Sequence, residues 1–159
     1  MAYVGQFDNL IREQDRGRAV GFTRTIVVFT DGLAVCPIAV GGRSPELQRG
    51  LFSRLLGVGR PAPRGSPQQV RDLAVATGAS ASATEFAQAW RGALAIPFAV
   101  VARIVLARPQ QVSRLEIYEA VGGHGASSPT VYLGDLSPGT VRDLLGPLLG
   151  ERLQIDVAG

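Results

Sequence analysis

Between residues 92 and 121 the chain reads GALAIPFAVVARIVLARPQQVSRLEIYEAV, its densest run of apolar and β-branched side chains. Residues 112–121 alternate within it. Leu115, Ile117 and Val121 fall on one face and Arg114, Glu116 and Tyr118 on the other, the two-residue period of a half-buried strand. Residues 100–107 are apolar almost throughout, with Arg103 as the only charge. That predicts a second strand, better covered than its neighbour or set centrally in the sheet. The turn Arg108-Pro109-Gln110-Gln111 joins the two. The uncharged run 92–102 falls far short of the roughly 20 residues that cross a bilayer, and Pro97 and Arg103 argue further against a span.

Upstream, RTIVVFT at 24–30 and LAVCPIAV at 33–40 flank Asp31-Gly32, which predicts a two-residue type I′ hairpin with positive φ at both central positions. Pro37 has no N–H to give to a neighbour, so the second strand is expected to lie at an edge or bend there. Ser-Pro pairs at 44–45, 66–67 and 137–138 each place an N-cap before a proline that starts a helix. The first helix, 45–56, stacks Leu47, Leu51 and Leu55 with Phe52 and Leu56 beside them. The second spans 67–77, with Ser66 and Gln69 as a capping box. Ser82 and Glu85 form another box, opening a short helix through Phe86 and Trp90. TVYL at 130–133 predicts a strand. The last helix carries Val141, Leu144, Leu145, Leu148 and Leu149, and Pro147 should kink it or end its bonding early. ERLQIDV at 151–157 alternates as a final strand or packs the tail down. Residues 1–22 read as an N-terminal arm or short helix capped by Asp8, and 23–159 as a single α+β domain with a helical insertion at 44–90.

Charge changes this picture in one respect. All 16 basic residues are arginine, and the formal net charge is only +3. Residues 1–111 hold 13 Arg against seven acids, whereas 112–159 hold three against six, so the chain is electrically lopsided. Arg43, Arg49, Arg54, Arg60, Arg64 and Arg71 face only Glu46 and Asp72, which makes 43–72 the candidate contact for an acidic partner, phosphates or anionic lipid. Nucleic acid fits less well, because the one aromatic there, Phe52, is placed in the core by its helical spacing and leaves no stacking platform.

Candidate chemistry is sparse. Cys36 sits in an apolar run and reads as a small buried hydrophobe. His124, in the loop GGHGASSP at 122–129, is the only histidine and has no partner ligand in the sequence. Ser127, Ser128 and Asp135 lack the turn that exposes a serine nucleophile. The expectation is therefore no catalytic residue, no metal and no cofactor. No basic and apolar leader opens the chain, so a cytoplasmic setting is expected, with a place at the membrane periphery as the alternative.

The hairpin RTIVVFTDGLAVCPI, the Ile96-Pro97-Phe98 lead-in to IPFAVVARIVLAR, SRLEIYEAVGG, the short TVYL strand and the closing SPGTVRDLLGPLLGERL helix together resemble a bacterial pleckstrin-homology-like domain. The resemblance implies a bent antiparallel sheet or partly open barrel capped by a C-terminal helix. It implies binding of lipids, peptides or proteins, usually without catalysis. Three functions follow as expectations. The first is a non-enzymatic binding or scaffolding module that docks on a protein partner, as an accessory subunit of a larger or membrane-associated complex. The alternatives are a peripheral anionic-lipid-binding module and a small enzyme using the 122–129 loop.

Overall fold

A computed structural model describes residues 2–16, 22–39, 65–77, 81–108, 112–120 and 128–156. Eight strands form one mixed, open sheet: β1 Tyr3–Arg12, β2 Phe22–Phe29, β3 Gly32–Ala39, β4 Leu94–Pro97, β5 Val101–Ala107, β6 Ser113–Glu119, β7 Thr130–Gly134 and β8 Leu153–Asp156, in the order β4-β3-β2-β1-β7-β6-β5-β8. Three helices are seen among the described residues: α1 Pro67–Thr77, α2 Ala83–Ala89 and α3 Pro138–Leu149.

The sheet consists of two halves that share β1. Residues 3–10 of β1 pair with β2, while Ile11 and Arg12 pair with Leu133 and Tyr132 of β7. The change of partner coincides with a bulge between Phe7 and Leu10, where Asn9 adopts φ +58. Asparagine tolerates this left-handed conformation better than most side chains, and a bulge adds local twist. The expected N-terminal arm or helix is thus a ten-residue strand. Its period-two pattern is interrupted at the bulge, and Asp8, read as a helix cap, instead accepts hydrogen bonds from Gln6 Nε2 (2.8 Å) and Thr25 Oγ1 (3.0 Å).

The halves close on each other across a core that includes Leu10, Ile26, Leu33, Ile104, Leu115 and Tyr132, capped by Val141, Leu145 and Leu149 of α3. Pro147 lies within α3, which continues two residues beyond it, so the helix ends at Gly150 and not at the proline. At the corner between β4 and β5, Phe98–Val100 forms a 3-10 turn, and Arg152 Nη1 donates to the carbonyls of Phe98 (2.8 Å) and Val101 (3.0 Å). The tail forms β8, parallel to β5, so the sheet is mixed where an all-antiparallel one was expected.

A second core lies on the outer face of the first half, where Val27, Phe29, Ala34 and Cys36 meet Val70 and Ala74 of α1 and Phe86 of α2. Both capping boxes form. Gln69 N donates to Ser66 Oγ (3.2 Å) and Ser66 N to Gln69 Oε1 (3.0 Å), with Ser82 and Glu85 related in the same way. Ser137, by contrast, makes no side-chain cap bond, although SPGTVRDL at 137–144 closely matches SPQQVRDL at 66–73 and both open a helix at the proline, so the two do not share their capping.

The hairpin is displaced by one residue from expectation. Phe29 pairs with Gly32, which makes Thr30 and Asp31 the loop, and neither has positive φ. Gly32 is needed for another reason: a Cβ there would lie 2.7 Å from the Ile96 carbonyl oxygen and 2.9 Å from Pro97 Cα. Asp31 ties the neighbourhood together, its carboxylate accepting from Ala83 N (3.1 Å) and its carbonyl from Phe98 N (2.9 Å). Pro37 lies beyond the last β3–β4 pair, Val35–Leu94, so the strand is locally an edge there, as its missing donor requires.

Candidate functional site

Of the six arginines singled out by charge, Arg43, Arg49, Arg54, Arg60 and Arg64 lie outside the described residues, as do the 45–56 helix and His124. Arg71 is exposed on α1. Val70 and Ala74 turn that helix's apolar side to the sheet, while Arg71 and, one turn on, the 60 % exposed Val75 face outward. Beside them Gln68 Nε2 donates to Asp72 Oδ1 (2.8 Å). Trp90 is half-buried against the second core and donates from Nε1 to the Pro37 carbonyl (3.2 Å), a packing role and not a surface anchor. Cys36 is fully buried, and burial pushes its thiol up to about 12, so it is held as a neutral hydrophobe.

The second half presents a different surface. On the outer face of β5 and β6 the alternating side chains form a continuous array anchored by Glu13, in the 3-10 turn Glu13–Asp15 after β1. Arg114 Nη1 donates to Glu13 Oε1 (2.7 Å) and its Nε to Glu116 Oε1 (2.9 Å). Tyr118 Oη donates to Glu116 Oε2 (2.8 Å), and the Arg103 guanidinium lies 4.2 Å from the centre of the Tyr118 ring. The hydrogen bond with Glu116, aided by Glu13, holds Arg114 more firmly protonated than usual, and the bond to Glu116 raises Tyr118 likewise. Exposed Ile11 and Val112 belong to this half. Strand β5 lies inside the sheet, between β6 and β8, and is not the better covered of the central pair: Ala102 and Arg103 are exposed, and among the described residues no helix lies over this face. Sequence alternation placed Arg114, Glu116 and Tyr118 together correctly. The array itself needs the β5–β6 register that sets Arg103 opposite Tyr118.

A third cluster lies on the inner face where the halves meet. Arg12 pairs in register with Tyr132, and residues directly opposed in an antiparallel ladder project to the same side. Arg24 Nη1 donates to Asp15 Oδ2 (2.7 Å), and its guanidinium lies 4.9 Å from the centre of the Phe22 ring. Burial raises Tyr132, against the lowering influence of Arg12 and Arg24. The sequence reading missed Arg12 and Tyr132 as a pair. Nothing local marks them, since they meet only through the β1–β7 register.

Among the described residues no group of three or more His, Cys, Asp or Glu side chains stands close enough to hold a metal ion, and no helix is long and apolar enough to cross a membrane. Comparison with family models, with curated proteins and with solved structures finds no match.

Proposed function

We propose that this chain is a non-enzymatic docking module for a protein partner, acting as an accessory subunit of a larger assembly in the cytoplasm or at the cytoplasmic side of a membrane. One observation carries the reading: the outer face of β5 and β6, over which no described helix lies, holds the Glu13–Arg114–Glu116–Tyr118–Arg103 array in a fixed arrangement. Tyrosine and arginine are the residue types enriched where binding energy concentrates in protein interfaces, and side chains already ordered by neighbours lose less freedom on association. Exposed Arg71 and Val75 on α1, which follows the arginine-bearing stretch 43–64 in the sequence, are the second contact in this reading. The open sheet with its C-terminal helix supports the resemblance to a pleckstrin-homology-like domain, a family that usually binds without catalysis; the departures are β8 after the helix and the α1–α2 insertion between β3 and β4.

The test is affinity purification from the native cell with three forms: the wild type, Arg103→Glu/Tyr118→Ala, and Arg54→Glu/Arg60→Glu/Arg64→Glu. A stoichiometric protein companion should be retained by the wild type and reduced at least tenfold by one or both variants, while their thermal midpoints stay near the wild type's. Equal capture by all three forms overturns the docking reading. Retention on anionic but not neutral vesicles, lost steeply with salt, moves the function to lipid recognition.

A further inference from the structure

The two edges of the sheet are not alike. Strand β4 ends in Pro97, which has no N–H to offer a neighbour, runs straight into the 3-10 turn Phe98–Val100, and has α2 packed against it. At the other edge β8 lies in unbroken register beside β5, from Leu153 opposite Ile104 to Asp156 opposite Ala107, and holds no proline, lysine or bulge. Among the described residues the elements packed on β8 are β5 and α3, so its free edge offers backbone donors and acceptors to no described strand. Such an edge is a template for strand addition.

The side chains define which strand fits. Leu153 and Ile155 pack against the shared core and are only half-buried there, while Gln154 and Asp156 are exposed. Arg152, at the head of the strand, is fixed by the bonds of its Nη1 to the Phe98 and Val101 carbonyls. From 152 to 156 the order Arg-Leu-Gln-Ile-Asp is complementary to its own reverse, an unlike charge at each end and an aliphatic side chain on either side of the glutamine. The geometry points to the β8 edge as an interface with a second copy of this chain, whose own β8 adds antiparallel about a two-fold axis through Gln154. Leu153 then opposes Ile155 of the second copy on the core side, and Arg152 opposes Asp156 of the second copy. Directly opposed residues share a face, and a slip by one residue would turn the aliphatic pair to the wrong side. Among the registers that keep it inward, only the axis at Gln154 sets Arg152 against Asp156. Two eight-stranded sheets become one, with both outer faces on the same side and the two β6 strands five strand spacings, or about 24 Å, apart. The contact is an edge and not the outer face, so it stands whether or not that face takes a partner.

The experiment is sedimentation equilibrium of the full chain. Two strands this short bury far less than a standard interface of about 1,600 Å², so a dimer with Kd between about 10 and 500 µM is expected. Asp156→Arg sets two pairs of like charges opposite each other and should weaken the dimer about tenfold, as should Arg152→Glu. An equimolar mixture of the two variants makes every opposed pair unlike again and should associate at least as tightly as the wild type within a factor of about three. Gln154→Cys, on the axis, should be joined to its own copy by a short bis-maleimide, whereas Gln68→Cys on the exposed side of α1 should not. A chain that stays monomeric up to about 1 mM overturns the interface. So does a dimer that Asp156→Arg leaves unchanged, or a mixture no tighter than either variant alone. Should Arg152→Glu fail to fold, crosslinking of Gln154→Cys no faster than that of Gln68→Cys is the contrary result.

Discussion

In β2, Ile26, Val27, Val28 and Phe29 are all buried, whereas in β6 Ser113, Leu115 and Ile117 are buried and the residues between them are not. Both strands lie inside the same sheet. The difference comes from what covers the far side: α1 and α2 pack on the outer face of β2 and β3, and no described helix packs on that of β5 and β6. The first half is thus a three-layer unit of helices, sheet and shared core, and the second is a two-layer one whose outer layer is a polar array. Buried apolar clusters lie on both faces of the first half, whereas among the described residues that of the second half lies on its inner face.

Substitutions on the two outer faces should separate the two halves. The largest effect is expected at Phe86, fully buried with its ring 5.1 Å from that of Phe29; Phe86→Ala should cost about 3–5 kcal/mol in denaturant unfolding. An effect below 1 kcal/mol would mean that the helical layer contributes little and that the halves are alike. Next, Gly32→Ala places a methyl against backbone of β4 that cannot swing aside, and a loss of about 1–3 kcal/mol is expected. Faster amide exchange at Phe98, bonded to the Asp31 carbonyl, would localise the damage to the corner. The smallest effect belongs to the bare face. Arg114→Ala breaks two ion pairs whose partners are part-exposed, and such pairs contribute no more than about 1 kcal/mol. A loss comparable to that of Phe86→Ala would show that this face is structural and not a free surface.

The sequence foreshadows the first half better than the second because its signals are local. The two capping boxes, the apolar hairpin and the Pro37 edge are each set within a few residues, and each appears in the structure. The hairpin was misplaced by one residue because Asp31-Gly32 carries a turn signature, yet Gly32 serves close approach to β4, a contact more than sixty residues away in sequence. Strand β1 was hidden by its own bulge, which shifts the apolar positions out of step at Asn9. Of the two readings of the apolar strand β5, better covered or set inside the sheet, the second holds, since β5 lies between β6 and β8; valine and alanine at half-exposed positions satisfy the same pattern. The candidate sites divide likewise. Arg71 was found from charge and lies exposed, while Arg103 stacking on Tyr118 and Arg12 opposing Tyr132 depend on register, which no short window contains.

The division of β1 between two partners also sets an order of events during synthesis. Residues 3–10 find β2 as soon as the hairpin emerges, but Ile11 and Arg12 must wait for Leu133 and Tyr132, about 120 residues further along the chain. Until then the first half carries an open strand edge, the kind of surface that invites association with other chains. Long-range pairing of this sort also slows folding. The bulge at Asn9, by bending the strand at the point where its partner changes, is well placed to blunt that edge while the chain is incomplete.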